Sequence, residues 1–482
     1  MLTFSLPLEE PPEDIIARFR EQPGLAVLSS LGGEPLERPY VPLARWSFIA
    51  IEPFMAFSFL PGKMFLKPCQ SGLNLPSDPL QALEKLLLRF RIEESVPTPF
   101  PAGAIGFFSY ELRTLIEKVP ATGIDDLGLP HLYFCFYDAV ISIDHYHNTI
   151  WLTSTGIPEQ GVAGVKRQRE RCSKLLELLK RRPPSLREKA FGGRGKVPLF
   201  SSFSRARYLD AIKRVKEYIA AGDVYQVNIA QRFTVPLPTD GFSLFGQLLY
   251  ANPSPFAAYL SGNGFTVVST SPERFLRYDA LTRRIHTRPI KGTRPRGRDP
   301  AEDARLAHEL LASGKDRAEH VMIVDLERND LGRLAVTGSV RVPEFCVLEK
   351  FPTVFHLTST VEATLPPEVG LARILRATFP GGSITGAPKV RAMEIIDEIE
   401  PVARGIYTGS IGYLSFNGNM DLNIVIRTLV LRGGGIHFHV GGGIVADSDP
   451  EGEYQETLDK GLAFSRVLGL KMDEVKELES LR

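Results

Sequence analysis

Residues 204–221, SRARYLDAIKRVKEYIAA, repeat their apolar positions at helical spacing, with Tyr208, Ile212, Val215 and Ile219 on one face. Ser204 precedes the run as a cap, and Gly222 follows it as a stop. The period then changes. In VYQVNIAQRF, Tyr225, Val227 and Ile229 alternate with Gln226, Asn228 and Ala230, which predicts a strand. The same reading predicts strands at 256–260, 265–271, 284–290, 338–342, 354–361, 407–415, 422–431 and 436–441. It predicts helices at 300–312, 316–328, 370–377, 387–399 and 450–468. Upstream, 163–180 reads as helical, and YFCFYDAVISI and TIWLTST read as strands. Strands outnumber helices and do not alternate strictly with them. That pattern predicts an α+β protein with large antiparallel sheets, not a doubly wound parallel one.

The stretch 181–200, RRPPSLREKAFGGRGKVPLF, mixes proline, glycine and basic residues and reads as a linker. It divides the chain into an N-terminal region, 1–180, and a motif-rich region, 201–470. With 482 residues, the chain exceeds what one hydrophobic core usually serves.

Composition narrows the function classes. Apolar residues make up 43%, charged residues 23%, and the net charge is +1. This balance offers no electrostatic reason to bind nucleic acid or an anionic membrane. The N-terminus, MLTFSLPLEEPPED, turns acidic at once and lacks the basic start of a signal peptide. No apolar run approaches the roughly 20 residues needed to span a bilayer. Cys69, Cys135, Cys172 and Cys346 lack metal or redox spacing. A cytoplasmic protein with inert thiols is expected. None of the four sits in a glycine-rich elbow suited to glutamine hydrolysis.

Candidate chemistry centres on Lys291 in PIKGTR, 289–294. Pro289 restricts its own backbone, and Gly292 permits a sharp turn or a close approach. Only about one free lysine in a few thousand is neutral at pH 7. Burial and nearby cations, with Arg288 and Arg294 as candidates, favour the neutral nucleophile. A lysine paired with a carboxylate is the plain alternative.

Near the C-terminus, Asp449-Pro450 starts a helix on which Glu453, Glu456 and Lys460 share a face. A solvated ion pair explains that spacing, worth about 0.3–0.5 kcal/mol. So does a magnesium carboxylate beside an anion-holding lysine. The preceding GGGIVA, 441–446, fits a dinucleotide loop poorly, because no βαβ unit surrounds it. Backbone N–H groups near a carboxylate suit it better. PGGSITGAPK, 380–389, is not a Walker loop, but it opens a helix that could hold an anion. Glu319 is read as opening the helix EHVMIVDL, where the dipole alone justifies it. Glu273 ends a strand after Ser-Pro, and His356 lies on the polar face of VFHLTSTV.

Together, GDVYQVNIAQRF, STSPERF, PIKGTRPRG, DRAEHVMIVDLERNDLGR, FPTVFHLTSTV, FPGGSITGAPK, IYTGSIGYLSFNG and GGGIVADSDPEGEYQETLDK resemble the chorismate-utilising enzymes. The nearest branches are the component I subunits of anthranilate and aminodeoxychorismate synthases. The resemblance covers nearly all of 204–468, and ARWSFIAIEP at 44–53 extends it more loosely. It implies a two-lobed body of antiparallel sheets packed as a sandwich, with helices outside. Relatives that add water to chorismate carry a lysine where Gln226 stands, so that reaction is not implied. Anthranilate synthases typically carry alanine where Lys291 stands, and aminodeoxychorismate synthases carry lysine. The implied reaction converts chorismate and ammonia to 4-amino-4-deoxychorismate, on the way to 4-aminobenzoate and folate. Anthranilate formation, alone or as a second activity, is the alternative.

The resemblance makes Lys291 the nucleophile and Glu273 the general acid and base. It makes Glu319 and Glu456 Mg²⁺ ligands, with Glu453 holding a metal water. Arg427, Tyr407 and Lys460 take the substrate carboxylates, supported by Ser383 and the N–H groups of Gly442 and Gly443. Thr293 and His356 line the ring, and Gln226 lies on the substrate side. A separate glutamine amidotransferase is implied as ammonia source, and a separate lyase for pyruvate release. Some relatives bind tryptophan in the N-terminal region. There AVLSSLG, 26–32, departs from the Leu-Leu-Glu-Ser pattern of feedback-inhibited members.

Overall fold

The computed structural model describes residues 1–31, 43–68, 73–183, 186, 197–236, 240–351, 354–472 and 475–478. Two large sheets carry the chain. In the 13-stranded sheet, Leu2–Pro7, Thr149–Ser154, Ala139–Asp144, Trp46–Ala50 and Ala26–Ser29 come from the N-terminal region. The order continues through Phe256–Ser261, Thr266–Ser271, Thr428–Arg432, Gly435–Ile444, Gln226–Val235, Leu199–Ser201 and Val475–Glu477. The 11-stranded sheet runs from Ile290–Pro295 through Val354–Thr364, Arg284–Arg288, Arg274–Asp279, Met420–Asn423 and Ser410–Ser415. It ends with Gly103–Phe108, Leu132–Tyr137, Met55–Leu60 and Lys63–Lys67. Among the described strand pairs, only Leu199–Ser201 with Val475–Glu477 is parallel. The antiparallel α+β expectation holds.

Early and late segments share both sheets. Ala26–Ser29 pairs with Phe256–Ser261, and Gly103–Phe108 pairs with Ser410–Ser415. Most of the expected linker, 184–185 and 187–196, lies outside the described residues.

Alternation explains the layers. In Met55–Leu60, Phe57 and Phe59 pack outward toward helices, while Ala56 faces the other sheet. The sandwich core joins Phe48, Ala50 and Val267 of one sheet to Ile105, Phe107 and Tyr413 of the other. Outside the first sheet, Leu175 of Gly161–Leu179, Phe245 of Gly241–Ala251 and Phe464 of Leu462–Leu468 join its core. Outside the second sheet, Leu83 of Pro79–Arg89, Val324 of Gly314–Gly332 and Leu375 of Leu371–Thr378 do the same. Burying each such side chain stabilises the fold by about 1.5–3 kcal/mol before chain entropy is counted. The helix expected at 204–221 is Arg205–Ala220; Ser204 accepts from the Arg207 N–H, and Tyr208, Ile212 and Val215 are buried.

Four expectations are corrected. The strand expected at 422–431 is two strands in different sheets, Met420–Asn423 and Thr428–Arg432. The helix expected at 450–468 breaks at Gly461, where a Cβ would meet the Met472 side chain at 2.7 Å. The helix expected at 316–328 spans Gly314–Gly332, because Ser313 caps it three residues earlier. The strand expected at 338–342 is Arg341–Lys350. Helix Gly241–Ala251 was not expected; it is apolar on nearly every side and hides its period.

One buried cation ties the layers together. Arg404 donates to Glu400 at 2.6 and 2.8 Å, to the Asn228 carbonyl at 2.7 Å and to Thr408 Oγ1 at 3.1 Å. Its side chain is 1% exposed and that of Glu400 4%. Arg404→Met would leave Glu400 charged and buried. The expected cost is about 3–5 kcal/mol of stability, measured by urea unfolding.

Candidate active site

Two chain crossings between the sheets create the site. The first strand to cross ends at Ser271, passes Pro272 and Glu273, and enters the other sheet at Arg274. The second leaves at Asn423 and re-enters the first sheet at Thr428, just after Arg427. The crossings lie side by side: Ile424 N–H donates to the Glu273 carbonyl at 3.0 Å, and Thr270 N–H to the Arg427 carbonyl at 3.0 Å. Arg427 has φ +50°, a left-handed conformation that costs a non-glycine residue about 1–2 kcal/mol. Such strain persists where surrounding structure enforces it.

Glu273 is 5% exposed. Its Oε1 accepts from Ser383 Oγ at 2.6 Å. Burial raises its pKa to about 7; the Ser383 hydroxyl, the Lys291 charge and the Ile290 N–H pull the other way. A carboxyl so placed can give and take a proton near neutral pH.

Lys291 lies on Ile290–Pro295, opposite Leu357. The register slips between Lys291 and Thr293, at Gly292 with φ +73°. A Cβ at Gly292 would meet Leu310 at 2.9 Å, so glycine lets this strand sit close to its neighbour. Burial lowers the lysine's pKa, opposed by Glu319, Glu273 and Glu456 and assisted by Lys460. The expectation that Arg288 and Arg294 do this is corrected. Arg288 is bound by Glu349 and Glu344, and Arg294 by Glu309 and Asp316. The cation that assists is Lys460, 169 positions away in sequence by subtraction (460 − 291) and invisible to local reading.

Thr293 Oγ1 is 2.9 Å from His356 Nδ1, and His356 Nε2 has no partner. Burial and the nearby Arg427 charge lower the histidine to about 3, so it is neutral. Arg427 donates to Asn252 Oδ1 at 3.3 Å. No carboxylate pairs with Arg427 among the described residues, and burial lowers its pKa. A desolvated guanidinium without a counter-ion is suited to an incoming carboxylate.

The acids converge from two helices. Glu319 lies in the second turn of Gly314–Gly332, not in the first as expected, so the helix dipole does not explain it. Burial raises its pKa, as do Asp316 and Glu456, while Lys291 and Lys315 oppose. On Pro450–Lys460, Asp449 caps the Gly452 N–H. Glu453 Oε1 accepts from Ser448 at 2.6 Å, and burial raises its pKa. Glu456 pairs with Lys460 at 2.6 Å; burial pushes it up, but Lys460 and Lys291 outweigh this and lower it. Lys460 also donates to the Gly441 carbonyl at 2.8 Å.

Gly442 and Gly443 lie inside strand Gly435–Ile444, not in a loop before a helix. A Cβ on Gly442 would stand 3.1 Å from Glu453 Oε2 and 3.6 Å from Glu456 Oε1. On Gly443 it would strike the Gln226 amide at 2.5 Å. Both glycines therefore leave space at the acids and at Gln226.

Gln226 and Tyr407 reach this cluster through neighbours. Gln226 Nε2 donates to Asn228 Oδ1 at 3.3 Å, and Asn228 Nδ2 to the Ser383 carbonyl at 2.9 Å. Tyr407 stacks on His439, with centroids 5.0 Å apart, and Arg404 lies 5.6 Å over its ring. Burial raises its phenol to about 12, with Arg404 opposing. Sequence reasoning missed Asn228, Asn252 and Arg404. Asn228 had a signal, since it follows Gln226 at strand period two.

The donor set suits a hard divalent cation. Glu319, Glu453 and Glu456 offer carboxylate oxygens; burial raises the pKa of the first two, and a bound cation would favour their charged form. Magnesium needs only one or two of them. Among the described residues no three His, Cys, Asp or Glu side chains are grouped so as to hold a metal ion by themselves.

The thiols stand aside. Cys135 and Cys172 are buried and Cys346 half-buried, all unpaired; Cys69 lies outside the described residues.

A family model for chorismate binding enzymes matches residues 44–466. The chain is 43% identical over 421 residues to aminodeoxychorismate synthase component 1 of Escherichia coli, covering 87% of this chain and 89% of that one. It is 43% identical over 393 residues to anthranilate synthase component 1 of Thermus thermophilus, covering 81% and 82%. Anthranilate synthase component I of Streptococcus pneumoniae superposes with a TM-score of 0.76 at 30% identity, over 90% of this chain and 95% of that one. With the carboxylate cluster, the lysine and the two sheet crossings in place, the chain belongs to the chorismate binding enzyme family.

Proposed function

We propose that this protein is the chorismate-converting subunit of an aminodeoxychorismate synthase. The observation that carries the reading is Lys291, whose ammonium burial drives toward the neutral amine beside the near-neutral acid Glu273. The neutral Lys291 amine attacks C2 of chorismate. The C4 hydroxyl leaves as water with the proton held by Glu273. Ammonia then adds at C4 and loses a proton to Glu273, and the C2–nitrogen bond breaks to return the lysine amine. Retained geometry at C4 follows from two displacements. Anthranilate synthase, which must also eliminate pyruvate, is the second reading, favoured by the equal identity to the Thermus relative.

Arg427 takes a substrate carboxylate, and Lys460, Tyr407, Ser383 and the N–H groups of Gly442 and Gly443 support the anionic groups. Thr293 and neutral His356 line the ring, with Gln226 behind. Glu319 and Glu456 hold Mg²⁺, with Glu453 on a metal water. Bound magnesium would neutralise the ring carboxylate and polarise the diene. The matched relatives' designation as component 1 supports a second subunit, which we take to be a glutamine amidotransferase. Tryptophan is proposed for the space between the sheets walled by Leu28, Trp46, Phe48, Phe256 and Tyr413. A cytoplasmic setting is supported by the unpaired thiols, and no described helix is long and apolar enough to cross a membrane.

Product analysis tests the assignment. Purified protein with chorismate, Mg²⁺ and ammonium should yield 4-aminobenzoate only when aminodeoxychorismate lyase is added. Anthranilate formed without lyase would replace the first reading with the second.

A further inference from the structure

The glycine-rich segment that carries Ser383 is pinned at both ends to one helix. Gly382 opens the short turn Gly382–Ile384, and its N–H donates to Glu327 Oε1 at 3.1 Å. At the far end of the segment, Lys389 donates to Asp330 and, at 3.0 Å, to the Thr378 carbonyl. Glu327 and Asp330 stand three positions apart on Gly314–Gly332, so they meet the segment from one face of the helix. Glu319 lies near the other end of the same helix. A Cβ on Gly382 would meet Leu326 Cδ2 at 2.5 Å, so glycine lets the turn sit this close to the helix.

Glu327 is 3% exposed and Asp330 2%. The cation beside them, Lys389, forms its ion pair with Asp330. Burial raises the pKa of Glu327, as do the charges of Asp330 and Glu273, while Lys389 and the Gly382 N–H oppose. Burial raises Asp330 too, opposed by Lys389 and Arg333. The uncharged form of Glu327 is favoured, and its carboxyl oxygen serves as a neutral acceptor for Gly382.

From Glu327 to the acid the connection is bonded throughout. Glu327 fixes the Gly382 N–H, Ser383 is the next residue, and Ser383 Oγ donates to Glu273 Oε1 at 2.6 Å. From the opposite side, Asn228 Nδ2 donates to the Ser383 carbonyl at 2.9 Å. The serine is therefore clamped between a helix and the strand Gln226–Val235. The other groups that face Glu273 are the Lys291 ammonium and the Ile290 N–H.

We propose that Glu327 is a positioning residue for proton transfer: through Gly382 it fixes the Ser383 hydroxyl, which orients the Glu273 carboxyl. The inference rests on the functional reading above. Glu327 stays outside the reacting atoms and acts on the reaction through the turn.

The intact protein with chorismate, Mg²⁺ and ammonium tests it, read as kcat, KM and, without ammonium, the pH profile of lysine adduct formation. Glu327→Met keeps the length of the side chain and removes its strong acceptor. Its kcat should fall about ten- to hundred-fold, the size of one hydrogen bond to an ionised group. The chorismate KM should stay at the wild-type value. The Ser383 hydroxyl lowers the pKa of Glu273, so freeing that hydroxyl should move the bend near pH 7 to higher pH. Glu327→Gln keeps a neutral acceptor and should keep both the wild-type rate and the wild-type bend. Ser383→Ala should reproduce the displaced bend, and adding Glu327→Met to it should slow the reaction no further. Glu327→Leu is made alongside, so that misfolding of one variant does not decide the result. A bend left in place by Glu327→Met, a glutamine variant as slow as the methionine one, or additive losses in the double variant overturns the positioning role and leaves the functional reading intact. A wild-type protein that consumes no chorismate overturns the functional reading, and the positioning role with it.

Discussion

Lys291→Ala should lower the ammonium-dependent conversion of chorismate by about 10³-fold or more, because the nucleophile of the first displacement is gone. Chorismate should still bind, since Arg427 and Lys460 remain. Lys291→Arg is the sharper variant. It keeps a cation facing Glu319, Glu273 and Glu456, which are the charges that act on this lysine. A guanidinium does not deprotonate and cannot attack C2. If Lys291 served only to balance those carboxylates, the arginine variant would retain activity. The account expects both variants to be equally inactive, measured as chorismate consumed over hours.

Glu273→Gln should lower kcat by about 10²- to 10⁴-fold, the usual contribution of a positioned acid–base group. Its pH dependence separates chemistry from packing. Burial raises Glu273 to about 7, so its protonated form dominates below that value. Expulsion of the hydroxyl needs that proton. Without ammonia, lysine adduct formation needs Glu273 protonated and Lys291 neutral at once, so its pH profile should bend at about 7, where Glu273 gives up its proton. The glutamine variant should be slow and should lack that bend. Glutamine can still accept from Ser383 Oγ, so loss of the loop contact would not account for the result.

Much of the fold was legible because amphipathic period carries it. The helix at Arg205–Ala220 buries Tyr208, Ile212 and Val215 as its spacing selects, whereas the strand at Gln226–Val235 buries Val227 and Ile229 but also Gln226 and Ala230, and leaves Tyr225 before it exposed. The chemistry was legible in a different way, through motif resemblance, since neither Lys291 nor Glu319 is distinctive in its local sequence. The crossings were not legible. Residues 422–431 read as one apolar strand, and nothing in their period reports that Arg427 turns the chain into another sheet. Long-range charge was also hidden. Arg288 and Arg294 flank Lys291 in sequence, yet carboxylates on other elements take both. Glu319 seemed explained by a helix start until the Ser313 cap moved that start five residues upstream, to Gly314. In each case the deciding partner lies on another element, beyond the reach of a local window.

The central claim is that Lys291 becomes covalently joined to the substrate. The direct measurement is intact-protein and peptide mass spectrometry after incubation with chorismate and Mg²⁺, with ammonia withheld. The account predicts an added chorismate-derived mass, less one water, on the peptide bearing Lys291, which disappears when ammonium is supplied. No added mass, or the same mass on another residue, would contradict it.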